Sequence, residues 1–173
     1  MTVRGTVGLL AVLAALAAYL WFVELRPAPA TATSGPPTLL SAPAEVAQVE
    51  LSGAAGRLHA VRADARWTDD AGHPWRGDAV GDLLTTLAAL RPVMVVDAAG
   101  GELETYGLGT PERLRARAAD GQELVHVDIG ASNPAGTALY ARVDDRPEVV
   151  LIGAVLRWEL DKLRQGAPEV VRP

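Results

Sequence analysis

Residues 112–129 read ERLRARAADGQELVHVDI, two alternating runs joined by a short polar turn. In 112–118, Leu114, Ala116 and Ala118 fall on one side and Arg113, Arg115 and Arg117 on the other. In 123–129, Val125, Val127 and Ile129 alternate with Leu124, His126 and Asp128. A period of two places successive side chains on opposite faces of a strand. Asp120-Gly121 tolerates the positive φ that a tight hairpin demands. The pair is therefore an antiparallel hairpin with an apolar face and a charged face, and it fixes the sheet as antiparallel.

The same pattern continues on both sides. Downstream, GASNPAG at 130–136 reads as a looser turn, and strands near 138–143 and 148–152 are joined by DDRP. Residues 154–164 form a closing helix that turns Val155, Leu156, Leu160 and Leu163 towards the sheet. Upstream, 46–51 is a strand with Ala47, Val49 and Leu51 on one face, SGAAG at 52–56 is a turn, and 57–63 returns. Trp67 closes a third short strand. After a loop at 69–78, Asp78 is placed to cap a helix over 79–90, whose Val80, Leu83, Leu84, Leu87 and Leu90 share one face. Pro92 follows, and VMVV at 93–96 suits a short buried strand.

Between these segments lies LETYGLGTP, residues 103–111. With Tyr106 at the C-cap of a short helical turn, Gly107 takes the left-handed position after it. Leu108 then faces Leu103, the hydrophobic pair of a Schellman ending, and Pro111 prevents the helix from resuming. Tyr106 is the aromatic plug of this corner. The fold class is α+β: one domain with a mainly antiparallel sheet packed by two main helices.

An N-terminal transmembrane helix is expected ahead of that domain. Residues 6–23 carry no charge, and eighteen helical residues reach about 27 Å, close to the thickness of a bilayer's hydrocarbon core. Tyr19, Trp21 and Phe22 gather at one end and Arg4 at the other, which sets a cytoplasmic N-terminus. The organisation that follows is a signal anchor over 1–26, a Pro/Ala/Thr/Ser-rich linker over 27–43, an extracytoplasmic domain over 44–165 and a tail over 166–173. The bilayer is a partner through 6–23, and the location is the inner membrane with the C-terminal domain periplasmic. APA at 28–30 and ATA at 30–32 offer the alternative of a cleaved signal peptide and a secreted ligand-binding domain.

The 173 residues contain no cysteine, which removes disulfides, thiol nucleophiles and thiolate metal sites. Net charge is −5 with no basic run, which argues against nucleic acid as a partner.

With Trp67, Leu83, Leu84, Leu87, Tyr106, Gly107, Leu108, Pro111 and Gly130 in this order, the chain over 44–165 resembles domain-of-unknown-function family 4340. That bacterial family is similar in its Trp-bearing strand, Leu-rich helix, Tyr-Gly-Leu-x-x-Pro element and glycine before a hairpin. The resemblance implies an N-terminal membrane helix and an association with auxiliary components of ABC transport systems of the gliding-motility type. It implies no catalytic residues.

The residues themselves offer little chemistry. His59, His73 and His126 lack metal-motif spacing with other ligands. His126 and Asp128 share a strand face, which reads as an exposed, solvated surface. Ser132 is not in a G-x-S-x-G turn, and GLG at 107–109 ends a helix rather than opening one, so it cradles no phosphate. Asp69-Asp70 and Asp144-Asp145 read as acidic turns without calcium-loop spacing. The expectation is a non-enzymatic accessory module without catalytic, cofactor or metal residues, with a divergent hydrolase as a lesser alternative. The row Arg113, Arg115 and Arg117 is the candidate contact surface, with Glu123 or Asp128 placed to pair with it.

Overall fold

The computed structural model describes residues 36–168. The segment 6–23 read as a membrane helix, the first part of the linker and the last five residues lie outside them. Among the described residues, no helix is long and apolar enough to cross a membrane.

Within this span a short 3-10 turn at Pro43–Glu45 leads into strands β1 (Val46–Gly53), β2 (Gly56–Ala63) and β3 (Arg66–Thr68). Helix α1 (Ala79–Ala89) and strand β4 (Met94–Asp97) follow. Strands β5 (Glu112–Ala118), β6 (Glu123–Ser132), β7 (Ala138–Val143) and β8 (Val149–Gly153) come next, and helix α2 (Val155–Gly166) closes the domain. The strands form one antiparallel sheet in the order β3-β2-β1-β5-β6-β7-β8-β4. This is the expected α+β class.

The β5–β6 hairpin sits at the centre of the sheet, where its alternation is strongest. Leu114, Ala116, Val125, Val127 and Ile129 are all essentially inaccessible. They join Leu83 and Leu87 of α1 and Leu156, Leu160 and Leu163 of α2 in one core. The two helices pack on each other, and a single salt bridge from Lys162 to Asp82 ties them at 2.6 Å. That hydrogen bond, with a second that Lys162 donates to Glu159, raises the Lys162 pKa against local desolvation.

Several elements differ from their sequence reading. The pairing of β1 with β5 shifts between Val46 and Gln48. This bulge reverses the parity at the start of β1, so Val46 is fully buried and Ala47 only half-buried. Asp78 precedes α1 but makes no side-chain capping hydrogen bond. Val155 starts α2 and is 46% exposed, so it does not face the sheet. Residues 101–107 make turns without a regular helix. β6 runs on to Ser132, so Gly130 lies inside a strand rather than in the turn after it.

The boundary of the folded domain also moves. Leu39 and Leu40, placed in the linker by composition, are buried in the core. Their N–H groups donate to Leu90 O at 2.9 Å and Leu87 O at 3.2 Å, satisfying carbonyls at the end of α1.

The largest departure is VMVV. β4 is the outermost strand beside β8, and Val93, Met94, Val95 and Val96 are 75%, 56%, 51% and 37% exposed. An uninterrupted apolar run reads as buried from sequence, but sheet order leaves it at the rim.

Candidate functional site

The arginine row occupies the sheet face opposite the helices, and strand register explains its surroundings. Arg113 stands opposite Asp128, Arg115 opposite His126 on one side and Glu50 on the other, and Arg117 opposite Glu123. Arg113 lies 3.3 Å from Asp128 and Arg115 3.7 Å from Glu123. Arg117 reaches both Glu50 and Glu123 at 3.8 Å. Arg57 on β2 extends the strip to Glu50 at 3.0 Å. Both anticipated acids, Glu123 and Asp128, contribute, and Glu50 is a third that the sequence reading did not include. The result is a fixed mosaic of alternating charge, with the arginine side chains a third to a half exposed.

His126 sits within this mosaic, but it is buried rather than solvated, at 8% exposure. The β7–β8 turn folds over it. Asp144 donates its N–H to His126 O at 2.9 Å and accepts the His126 N–H on its carboxylate at 3.2 Å. Asp144 and Asp145 take left-handed backbone, with φ of 51° and 56°. The imidazole thus lies 3.3 Å from Asp128 and 3.4 Å from Asp145, with Arg115 across the strand. The Asp144-Asp145 pair is therefore a cover for β6.

The other two histidines do not join it, nor each other. His59 Nδ1 is 2.5 Å from Asp70, and His73 Nδ1 is 3.0 Å from Asp69. Local desolvation pushes the Asp69 pKa up, but hydrogen bonds from the His73 ring and N–H and from the Ala71 N–H outweigh it and hold the carboxyl below its usual range. His59, Asp69, Asp70 and Trp75 border a surface hollow of about 340 Å³, whose lining includes neither His73 nor a hydroxyl side chain. Among the described residues, no group of three or more His, Asp or Glu side chains is arranged to hold a metal ion.

The residues of the Tyr-Gly-Leu element converge on β6. Leu108 donates to Leu103 O at 2.8 Å and Gly107 to Glu104 O at 3.0 Å, the two bonds of a Schellman ending, with Gly107 at φ 71°. Tyr106 O then accepts the Ala131 N–H at 2.9 Å. This brings the corner's backbone onto Gly130, where a Cβ would lie 2.2 Å from Tyr106 O. Leu108 is buried, and the Tyr106 and Tyr140 rings meet with centroids 5.0 Å apart. Pro111 immediately precedes β5. Trp67 is half-buried, and the more buried tryptophan is Trp75, whose backbone N–H donates to Trp67 O.

One cluster escaped the sequence reading. Glu112 has the parity of Leu114, so its carboxylate points to the helix side of the sheet. There α2 supplies Arg157, at 3.4 Å, and Arg164, which contacts it directly. Arg157 also donates to Gly130 O at 3.0 Å. The signal was an acidic residue in phase with an apolar face, a position that calls for cationic partners. Glu112→Ala is expected to lower stability by about 2 kcal/mol, since two arginines that are mostly covered lose a largely buried acceptor. Denaturant unfolding, with Glu45→Ala at an exposed position as a control near zero, checks this.

A family model described as "Domain of unknown function (DUF4340)" matches residues 66–165. The match begins at β3 rather than at residue 44, although β1 and β2 lie between β3 and β5 in the sheet. No curated protein and no solved structure matches the chain.

Proposed function

Since the chain belongs to the DUF4340 family, we propose that it is a membrane-anchored, extracytoplasmic accessory module that works by contact rather than by catalysis. The observation that carries this reading is the charged mosaic of β1, β5 and β6. Its arginines and acids hold one another in a fixed pattern on a rigid central hairpin, while enough of each arginine remains open to meet a polar protein surface. Pre-paired charge of this kind favours selectivity and encounter over raw affinity. The uncharged segment 6–23 supports single-pass anchoring in the inner membrane with the domain outside the cytoplasm. The family resemblance supports a partner within an ABC transport complex.

Tethering then supplies the mechanism: the anchor fixes position and the sheet face docks the partner. The test is co-purification from membranes in mild detergent, comparing the native chain with Arg113→Glu/Arg115→Glu. A membrane partner that is retained by the native chain and lost with the double variant is the expected result. Recovery of the chain with no other protein, or retention unaffected by the charge reversal, overturns the proposal.

A further inference from the structure

Three buried side-chain polar atoms without a hydrogen bond lie together in the mosaic: Arg115 Nε, His126 Nε2 and Asp128 Oδ1. Arg115 of β5 stands opposite His126 of β6, and Asp128 is two residues further along the same face. Buried polar groups in native folds are nearly always paired, so such a cluster calls for a reason.

The imidazole supplies one. His126 Nε2 lies 3.3 Å from Asp128 Oδ1, while Nδ1 lies 3.4 Å from Asp145 Oδ1 and 4.0 Å from Glu123 Oε1. Both ring nitrogens therefore face carboxylate oxygens, which only accept. A neutral ring carries one N–H and sets its other nitrogen, an acceptor, against an acceptor. Only the imidazolium donates on both sides. Burial and Arg115 across the strand oppose that charge. The remaining charged neighbours are already engaged. Asp144 accepts the backbone N–H of His126. Arg142 of β7, opposite Asp128, gives its Nε–H to Arg146 O at 3.2 Å. Glu50 of β1, opposite Arg115, is held by Arg57 and Arg117. Three carboxylates against one guanidinium thus face the ring itself, which favours the added proton.

Asp128 Oδ1 also serves a second cation, because Arg113 Nε lies 3.3 Å from it, as far as His126 Nε2 does. We propose that His126 is a proton-operated switch on the mosaic: the imidazolium draws Asp128 and Asp145 onto its two N–H groups, loosens Arg113 from Asp128 and turns that arginine out to an acidic group of the partner. Arg113 is suited to this, since its side chain is 54% exposed, whereas Arg117 is held by two acids. Histidine ordinarily changes charge between pH 5 and 8, a range that a domain outside the cytoplasm meets as its surroundings change. The consequence for binding rests on the mosaic being the docking face; the coupling of His126 to Arg113 does not.

The test follows the ring and the Arg113 Nε–H by NMR in the full chain in mild detergent, between pH 8 and pH 5. His126→Gln identifies the ring among the three histidines, and Arg113→Lys identifies the guanidinium signal. The Arg113 signal is expected to shift over the same pH interval as the ring and to exchange with water about tenfold faster at the acidic end. In His126→Gln that response is lost. Asp145→Asn keeps the left-handed turn, which asparagine tolerates, and moves both transitions together to lower pH by about half a unit. This exposed position keeps the test decisive if His126→Gln does not fold. A ring that titrates without Arg113, transitions that separate in Asp145→Asn, an Arg113 response that survives His126→Gln, or a ring of constant charge across the interval overturns the inference.

Retention of a membrane partner at pH 7.5 and at pH 5.5 reports on docking separately. It is expected to be about fivefold greater at the lower pH for the native chain and equal at the two for His126→Gln. Coupled titration with no partner recovered at either pH keeps the switch and rejects the docking reading. A partner held through the arginines at both pH values, with Arg113 unmoved by the ring, does the reverse.

Discussion

Gly130→Ala is expected to destabilise the domain by about 3 kcal/mol, a large effect for one added methyl group. The reason is room rather than backbone freedom. Gly130 does not have a positive φ, so alanine meets no conformational penalty there. Its Cβ would instead lie 2.2 Å from Tyr106 O and 3.0 Å from Leu108 Cγ. Neither neighbour can move alone. Tyr106 O is held by the Ala131 N–H, and Leu108 is buried and fixed by its bond to Leu103 O. The Gly130 carbonyl is also gripped by Arg157 from α2. Relief therefore means lifting the whole corner off β6. Thermal unfolding measures the cost, and hydrogen exchange identifies its source: the Ala131 amide, protected by Tyr106 O, exchanges faster in the variant. Gly107→Ala separates the two roles of glycine, because there the strain adds to a φ of 71°. A Gly130→Ala chain that melts with the native one and keeps Ala131 protected shows that the corner is not held as described.

The contrast between what could and could not be read from sequence follows from where each constraint acts. The β5–β6 hairpin was readable because both its faces are decided locally: alternation sets parity and Asp120-Gly121 sets the turn. The Schellman ending was readable for the same reason, since Leu103, Gly107 and Leu108 are close in sequence. Sheet order is a long-range property, and the errors cluster there. VMVV reads as interior because nothing in four apolar residues says whether the strand they form has a neighbour on both sides. His126 reads as solvated because the turn that covers it lies eighteen residues away. Val46 and Ala47 exchanged places through a bulge that only pairing with β5 creates. Of the candidate surface, the arginine row and two of its acids were visible on one hairpin. Glu50 was not, because β1 joins β5 across more than sixty residues of chain. Glu112 is a misfit in the sequence, an acid in phase with an apolar face, but its arginine partners come from α2 some fifty residues on.

Composition misplaced the start of the domain, and the second large effect follows from that. A chain beginning at Ala44 is expected to be less stable than one beginning at Pro36 by about 4 kcal/mol, a fall in melting midpoint on the order of 12 °C. Residues 36–43 are rich in proline and small residues, so they resemble spacer. Within them, however, Leu39 is 5% and Leu40 1% exposed, as deep as the leucines of α1. Their loss uncovers apolar surface on α1, at roughly 2–3 kcal/mol for each buried leucine. It also strips the Leu87 and Leu90 carbonyls of their partners, and Leu87 is fully buried. Substitution distinguishes these contributions. Leu40→Ala keeps the backbone bonds and is expected to account for about 3 kcal/mol alone. Ser41→Ala, at an exposed position of the same segment, is expected to be neutral. A start at Ala44 that melts like the longer chain would mean that α1 ends well enough without this segment. The two leucines would then be passengers on the core, and residues 36–43 would act as the spacer that their composition suggests.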